Sequence, residues 1–98
     1  MKEAIKMYKA MMAIFSAHED EEVYDVDMFV HDIELRLFTM SDPQDIEEDD
    51  FLNFHLALVL LVRDDLLLRY YGYNGLAILH AELMNSGEGY YVNKEVTR

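Results

Sequence analysis

The residues from Phe54 to Val62 are apolar on every side of a helix, with His55 as the single exception. A helix of this kind needs cover all round, so it belongs at the centre of a helical bundle or of an oligomer. The pattern continues on both sides and predicts one long helix over Phe51–Tyr71. A chain of 98 residues with 52% hydrophobic content has enough material for one core, so we expect a single domain over residues 1–98.

Two segments before it also have helical periodicity. Lys2–Ala17 collects its apolar residues on one side and predicts an amphipathic helix. Val23–Met40 carries apolar residues at alternating spacings of three and four, which is an a/d stripe. The stripe consists of Val23, Val26, Val30, Ile33, Leu37 and Met40. These patterns predict a mainly α fold, a small helical bundle of three to four helices.

The region after Gly72 has two interpretations. Leu76–Met84 consists mostly of good helix formers and predicts a short fourth helix. Asn74 followed by Gly75 is a strong hairpin signal, so a short C-terminal β-hairpin or meander is the alternative. The meander would use Leu66–Tyr73, Leu76–Met84 and Tyr90–Val96. In both cases we expect a loop over Asn85–Gly89 and a frayed tail over about residues 90–98.

The net charge of −12 is concentrated in one stretch. Residues Glu19–Asp50 hold fourteen of the twenty acidic residues and one basic residue, Arg36, for a local net charge of −13. The remaining 66 residues carry six acidic and seven basic residues. Charge confined in this way creates a patch of strong negative potential, which disfavours nucleic acid and anionic membrane as direct partners.

The acidic stretch is the strongest functional signal. Carboxylates three or four residues apart on a helix lie about 5–6 Å from each other, comparable to successive phosphates of one nucleic-acid strand. The sequence therefore predicts an acidic surface that binds a basic or nucleic-acid-binding protein. The residues predicted for it are Glu21, Asp25, Asp32, Asp42, Asp45, Glu47, Glu48, Asp49 and Asp50.

A second apolar face accompanies the a/d stripe on the helix predicted over Val23–Met40. Its members are Tyr24, Met28, Leu35 and Phe38. A helix that is apolar on two sides either lies within its own domain or shares one side with a partner. If the second face is shared with a partner, it predicts a self-association seam and a homodimer. The alternative function is therefore a structural or oligomeric module that does not mimic nucleic acid.

Catalytic machinery is not apparent in the sequence. The chain has three serines and no cysteine, and its four glycines do not form a phosphate loop, so we expect neither an enzyme nor a cofactor. Asp27, His31 and Glu34 have the i, i+4, i+7 spacing of a weak metal-ligand set. A metal centre needs further ligands and supporting groups, so we interpret the three residues as a solvated polar edge.

In size, acidity and lack of cysteine the chain resembles small phage- or plasmid-encoded inhibitors of host defence nucleases, including anti-CRISPR and anti-restriction proteins. The resemblance lies in composition and implies an inhibitor of a basic host protein. The longest apolar run, Leu56–Val62, has seven residues, whereas a membrane span needs about twenty. No secretion signal is apparent at the N-terminus, so we expect a cytoplasmic protein, in the host cell if a phage encodes it.

Overall fold

The computed structural model describes residues 2–38 and 48–96, and for residues 37, 38, 48, 49 and 87–96 it describes the backbone alone. The described residues form four helices: α1 over Lys2–His18, α2 over Val26–Ile33, α3 over Glu48–Val62 and α4 over Asp65–Val96. A π-helical segment, Glu34–Phe38, continues α2. These ranges contain helices and no strand, which confirms the small helical bundle. The C-terminal hairpin or meander is not formed.

Helix α1 agrees with its predicted bounds, and the predicted side of the helix faces the core. Its fully enclosed residues are Ala4, Met11, Ile14 and Phe15, and Met7, Tyr8 and Met12 pack against them in part. Helix α3 packs against both α1 and α4. It buries Phe54, Ala57, Leu58 and Leu61, with the other apolar residues of its middle partly covered. The segment therefore packs against two helices with one face buried, and the cover on every side that the sequence predicted is only partial.

Helix α2 begins three residues later than predicted because Asp25 caps it. Asp25 has an extended backbone (φ −83°, ψ 175°), and its carboxylate accepts a hydrogen bond of 2.9 Å from the backbone N–H of Met28. Such a cap satisfies a backbone donor that the first helical turn leaves free. Val23 thus lies outside the helix and is 68% exposed. The a/d stripe holds for Val26, Val30 and Ile33, which are partly or fully buried, while Met40 lies outside the described residues.

The single helix predicted over Phe51–Tyr71 is wrong, because the chain breaks at Arg63 and Asp64. One carboxylate oxygen of Asp64, Oδ1, accepts hydrogen bonds from the backbone N–H groups of Leu66 and Leu67, at 2.8 and 3.3 Å. Asp64 therefore caps α4 instead of continuing α3. Aspartate is a poor helix interior residue and a strong N-cap, so the break has a local cause.

Helix α4 is broken at Gly72, the one described residue with a positive φ. With φ at 74° and ψ at 175°, Gly72 occupies a region that is essentially reserved for glycine. The interruption is confined to this residue, since Gly75 is helical. The predicted Asn85–Gly89 loop is wrong, and the tail is helical to Val96. Residues 97 and 98 lie outside the described part.

An aromatic cluster joins α1, α2 and α4. The ring of Phe15 lies 5.5 Å from that of Phe29, 5.1 Å from that of Tyr70 and 5.8 Å from that of Tyr71, measured between centroids. Edge-on and tilted aromatic pairs at such distances add stability beyond the area they bury. The cluster supports the region between the end of α1 and the start of α2, where the acidic stretch begins.

Candidate protein-binding surface

The turn between α1 and α2 consists of four consecutive acids, Glu19, Asp20, Glu21 and Glu22, and all four are exposed. A backbone hydrogen bond of 3.0 Å from the N–H of Glu21 to the carbonyl of His18 closes the turn. Exposed Asp25 and Asp27 follow, so residues 19–27 hold six carboxylates and no basic residue. Among the described residues, these six carboxylates form no ion pair with lysine or arginine.

His18 attaches this turn to the bundle. Its Nδ1 lies 2.7 Å from Oε1 of Glu21, and its Nε2 lies 3.7 Å from Oδ2 of Asp32. The imidazole also stacks on Tyr24, with ring centroids 4.9 Å apart and planes 22° apart. The hydrogen bond with Glu21 is the main cause that raises the pKa of His18 above its ordinary value of 6.5. The histidine thus links the acidic turn to α2.

Tyr24 belongs to the core and not to an exposed apolar face. Its exposed fraction is 2%, and its hydroxyl donates a hydrogen bond of 2.8 Å to Oδ2 of Asp32. Burial, and then the bond to Asp32, raise the pKa of Tyr24 well above its usual range. Because Tyr24 precedes the helix, the helical spacing that grouped it with Met28 does not apply. The prediction that Tyr24 lies in a self-association seam is therefore wrong.

The other members of the predicted apolar face remain at the surface or lie outside the described side chains. Met28 is 41% exposed and Leu35 is 47% exposed. The side chain of Phe38 is outside the described part. A π-helical segment winds differently from an α-helix, so a register counted along α2 does not continue to Leu35. The predicted four-residue face is thus reduced to two described residues.

The residues predicted for the acidic surface have three different outcomes. Glu21 and Asp25 precede α2, Asp32 lies in its last turn, and each of them has a structural partner. Asp50 is half-buried on α3 and makes an interaction of its own. The remaining members are outside the described residues or side chains: Asp42, Asp45, Glu47, Glu48 and Asp49. The exposed carboxylates that the predicted acidic surface did not include are Glu19, Asp20, Glu22 and Asp27.

The three residues of the metal-ligand pattern differ in exposure and in partners. Asp27 and His31 are exposed, whereas the half-buried Glu34 accepts a hydrogen bond of 2.6 Å from the hydroxyl of Ser86. Burial raises the pKa of Glu82, and the charge of Asp27 and its hydrogen bond with Glu82 add to the rise. Within residues 2–38 and 48–96, no three His, Asp or Glu side chains converge as a metal centre requires.

A small cleft lies beside the acidic turn, between the end of α1 and the π-helical segment. Its lining residues are Ile14, Ala17, His18, Asp32, Leu35 and Arg36. Its volume of about 210 Å³ is below the range of roughly 300–1,000 Å³ typical of small-molecule sites. The cleft combines apolar walls with the carboxylate of Asp32, the imidazole of His18 and the guanidinium of Arg36, and its volume is that of a single side chain of a protein partner, not of a cofactor.

Comparison with protein-family models, curated proteins and solved structures finds no match to this chain. None of the described helices combines the length and the hydropathy that a bilayer crossing requires.

Proposed function

We propose that this chain is a non-enzymatic binding protein that inhibits a basic or nucleic-acid-binding protein through its acidic surface. The observation that carries the proposal is the exposed turn Glu19–Glu22, whose carboxylates are not neutralised by lysine or arginine among the described residues. Unpaired surface carboxylates attract a basic partner and accelerate its association. Two acidic residues outside the turn extend the negative surface along α2: Asp25, which caps its start, and Asp32, in its last turn.

Ordering of the turn supports tight binding. His18 holds Glu21 on one side of the turn, and the Asp25 cap begins α2 on the other. A segment already held in one conformation loses less entropy on binding than a free loop. The carboxylates can therefore meet a partner's Lys/Arg-lined groove without a large ordering cost, and they would compete with the phosphates that the groove normally holds.

The cleft next to the turn offers an anchor for the same partner. An aliphatic side chain of the partner would lie against Ile14 and Leu35 in this cleft. Such an anchor would add apolar contact and geometric selectivity to an interaction otherwise dominated by charge.

The proposal includes the class of inhibitor and its location. We assign the chain to inhibitors of the kind that phages and plasmids encode against host nucleases, acting in the cytoplasm, from its compositional resemblance to anti-CRISPR and anti-restriction proteins. The alternative function, a structural or oligomeric helical module, requires an exposed apolar face. Of the four side chains predicted for that face, α2 and the π-helical segment expose Met28 and Leu35 in the described part.

The test is capture of partners from the source cell at two salt concentrations, about 50 and 300 mM NaCl, with the bound protein identified and then purified. The variant Glu19→Gln/Asp20→Asn removes two charges from the turn and leaves the structural contacts of Glu21 and Asp25 intact. The matched control, Glu3→Gln/Asp65→Asn, removes two exposed charges elsewhere.

We expect a basic protein whose affinity falls at least about tenfold from low to high salt and falls again in the turn variant alone. Addition of the partner's nucleic acid should release the chain if the two compete for one groove. Binding that neither salt nor the turn variant weakens would contradict the proposal, as would an equal loss in the control.

A further inference from the structure

Two histidines and a methionine meet where α3 packs against α4. His55, the one polar residue in the apolar middle of α3, lies opposite His80 and Met84 of α4. Residues four apart on a helix are neighbours on one side of it, so His80 and Met84 share a face. All three side chains are half-buried. Two packed helices thus hold three groups that can each donate a lone pair to a metal ion.

The separations among these groups match those of ligands that share one ion. The Nδ1 atom of His55 lies 3.2 Å from Sδ of Met84, and the imidazole centroids of His55 and His80 lie 6.5 Å apart. With bonds of about 2.0 Å to nitrogen and about 2.3 Å to sulfur, an ion holds two such atoms about 3.0–3.5 Å apart at bond angles of about 90–110°. Two imidazoles on opposite sides of one ion have centroids about 6.4 Å apart with the same bonds.

The kinds of ligand select the metal. Thioether sulfur is a soft ligand that monovalent copper accepts, and imidazole binds copper as well as zinc. Structural zinc sites take four ligands in a tetrahedral arrangement, and their sulfur ligand is the thiolate of cysteine, which this chain lacks. Across the described part of the chain, no carboxylate joins the two imidazoles as a third metal ligand. Two imidazoles on opposite sides and one thioether at about a right angle suit a monovalent ion that needs few, neutral ligands.

We propose that His55, His80 and Met84 bind one monovalent copper ion between α3 and α4. The two histidines supply nitrogen ligands, and Met84 supplies the sulfur. The ion bridges the two helices and stabilises the fold, because only the folded chain brings the three residues together. The site is distinct from the acidic turn between α1 and α2 and goes beyond the proposed inhibitor function.

Competition with the copper(I) chelator bathocuproine disulfonate, in ascorbate and without oxygen, tests the proposal on the full chain. We expect one copper ion per chain. Met84→Leu removes the sulfur at nearly constant volume, and His80→Gln removes an imidazole. Each should raise the dissociation constant at least about tenfold, since each removes a ligand. The matched controls are Met12→Leu, a half-buried methionine of α1, and His31→Gln, an exposed histidine of α2, and both should leave the dissociation constant unchanged.

NMR spectroscopy with silver(I), a monovalent probe of similar softness that is not oxidised in air, locates the ion. One equivalent should shift the imidazole signals of His55 and His80 and the methyl signal of Met84, and leave those of His18 and His31 in place. Zinc should bind at least about tenfold more weakly than copper(I), because a thioether is a poor ligand for it. Circular dichroism confirms that each variant folds.

Copper binding that Met84→Leu or His80→Gln leaves unchanged would overturn the proposal, as would an equal loss in the two controls. A chain that binds no copper(I) would show that the contact of His55 with Met84 serves packing alone. Zinc bound as tightly as copper would refute the role of the sulfur. The turn variant Glu19→Gln/Asp20→Asn should bind copper like the wild type, so this proposal and the inhibitor function fail independently.

Discussion

The hydroxyl of Tyr8 on α1 donates a hydrogen bond to Oδ2 of Asp64, while Oδ1 of the same carboxylate caps α4. One side chain thus ends the α3–α4 connection and ties it to the first helix, 56 residues earlier in the chain. The hydrogen bond with Asp64 is the main cause that raises the pKa of Tyr8 to about 12. This pair explains why a stretch with continuous helical character divides into two helices.

We expect Asp64→Ala to lower the free energy of unfolding by about 2–3 kcal/mol, since it removes both a helix cap and a charged hydrogen-bond acceptor. Tyr8→Phe should cost about 1 kcal/mol, because only the hydrogen bond is lost. Urea denaturation of both single variants and the double variant measures the coupling between the two residues. The neighbouring Asp65→Ala serves as control and should cost less than Asp64→Ala, because the exposed Asp65 does not cap the helix. Additive effects of the two single variants would contradict the pairing.

The Tyr71 hydroxyl is buried and has no hydrogen-bond partner among the described residues. An unsatisfied buried polar group destabilises a protein, so Tyr71→Phe should leave the free energy of unfolding unchanged or raise it by about 1 kcal/mol. Tyr24→Phe is the matched comparison and should lower it by about 1 kcal/mol, since it breaks the bond to Asp32. Thermal and urea unfolding measure both. Equal losses in the two variants would show that the Tyr71 hydroxyl has a stabilising partner.

Gly72→Ala should destabilise the protein by about 1–3 kcal/mol, because its φ of 74° and ψ of 175° are strained for any residue with a Cβ. Steric contact is not the cause, since a Cβ at Gly72 would meet no atom within 4 Å. Asn74→Ala provides the control at an exposed position of the same helix and should change stability by less than about 0.5 kcal/mol. If Gly72→Ala were equally mild, the backbone would be free to leave the positive-φ conformation.

The pKa of His18 should lie above 6.5 in the folded chain, since the hydrogen bond with Glu21 favours the protonated ring. A raised folded-state pKa stabilises the protein fully below the unfolded value near 6.5, and the contribution is lost as pH rises through the folded value. Glu21→Gln should return the pKa toward 6.5, as measured by NMR titration of the imidazole. Glu22→Gln, an exposed neighbour, is the control. A pKa that does not respond to Glu21→Gln would refute the contact.

Local patterns predicted much of this fold because they depend on near neighbours along the chain. The alternation of apolar and polar residues in Lys2–His18 decides which side of α1 can be buried, whatever packs against it. The all-apolar middle of α3 does not distinguish one side from another, and the structure buries the side that holds Phe54, Leu58 and Leu61. The ends of the helices were predicted less accurately. Asp64 and Gly72 interrupt the helices as their local preferences favour, whereas the glycines of Asn85–Gly89 lie within α4 despite their low helix propensity.

The candidate surface was predictable in location but not in its membership. Fourteen acids in 32 residues place the negative charge at Glu19–Asp50 from composition alone. Which carboxylates are left for a partner depends on the hydrogen bonds that the bundle makes to them. His18 contacts Glu21, and the hydroxyl of Tyr24 donates to Asp32. The sequence pattern placed Tyr24 on one helix face with Met28, but Tyr24 precedes α2, so helical spacing does not apply to it.

The sequence by itself determined the helical character of the chain and the position of its charge, since both follow from residue type and short-range spacing. Only the tertiary structure decided that Tyr24 is buried and that Asp64 divides two helices. Each of these outcomes depends on residues far apart in the chain, such as Tyr8 with Asp64. Sequence periodicity identifies an apolar face, but the other helices decide whether that face is covered.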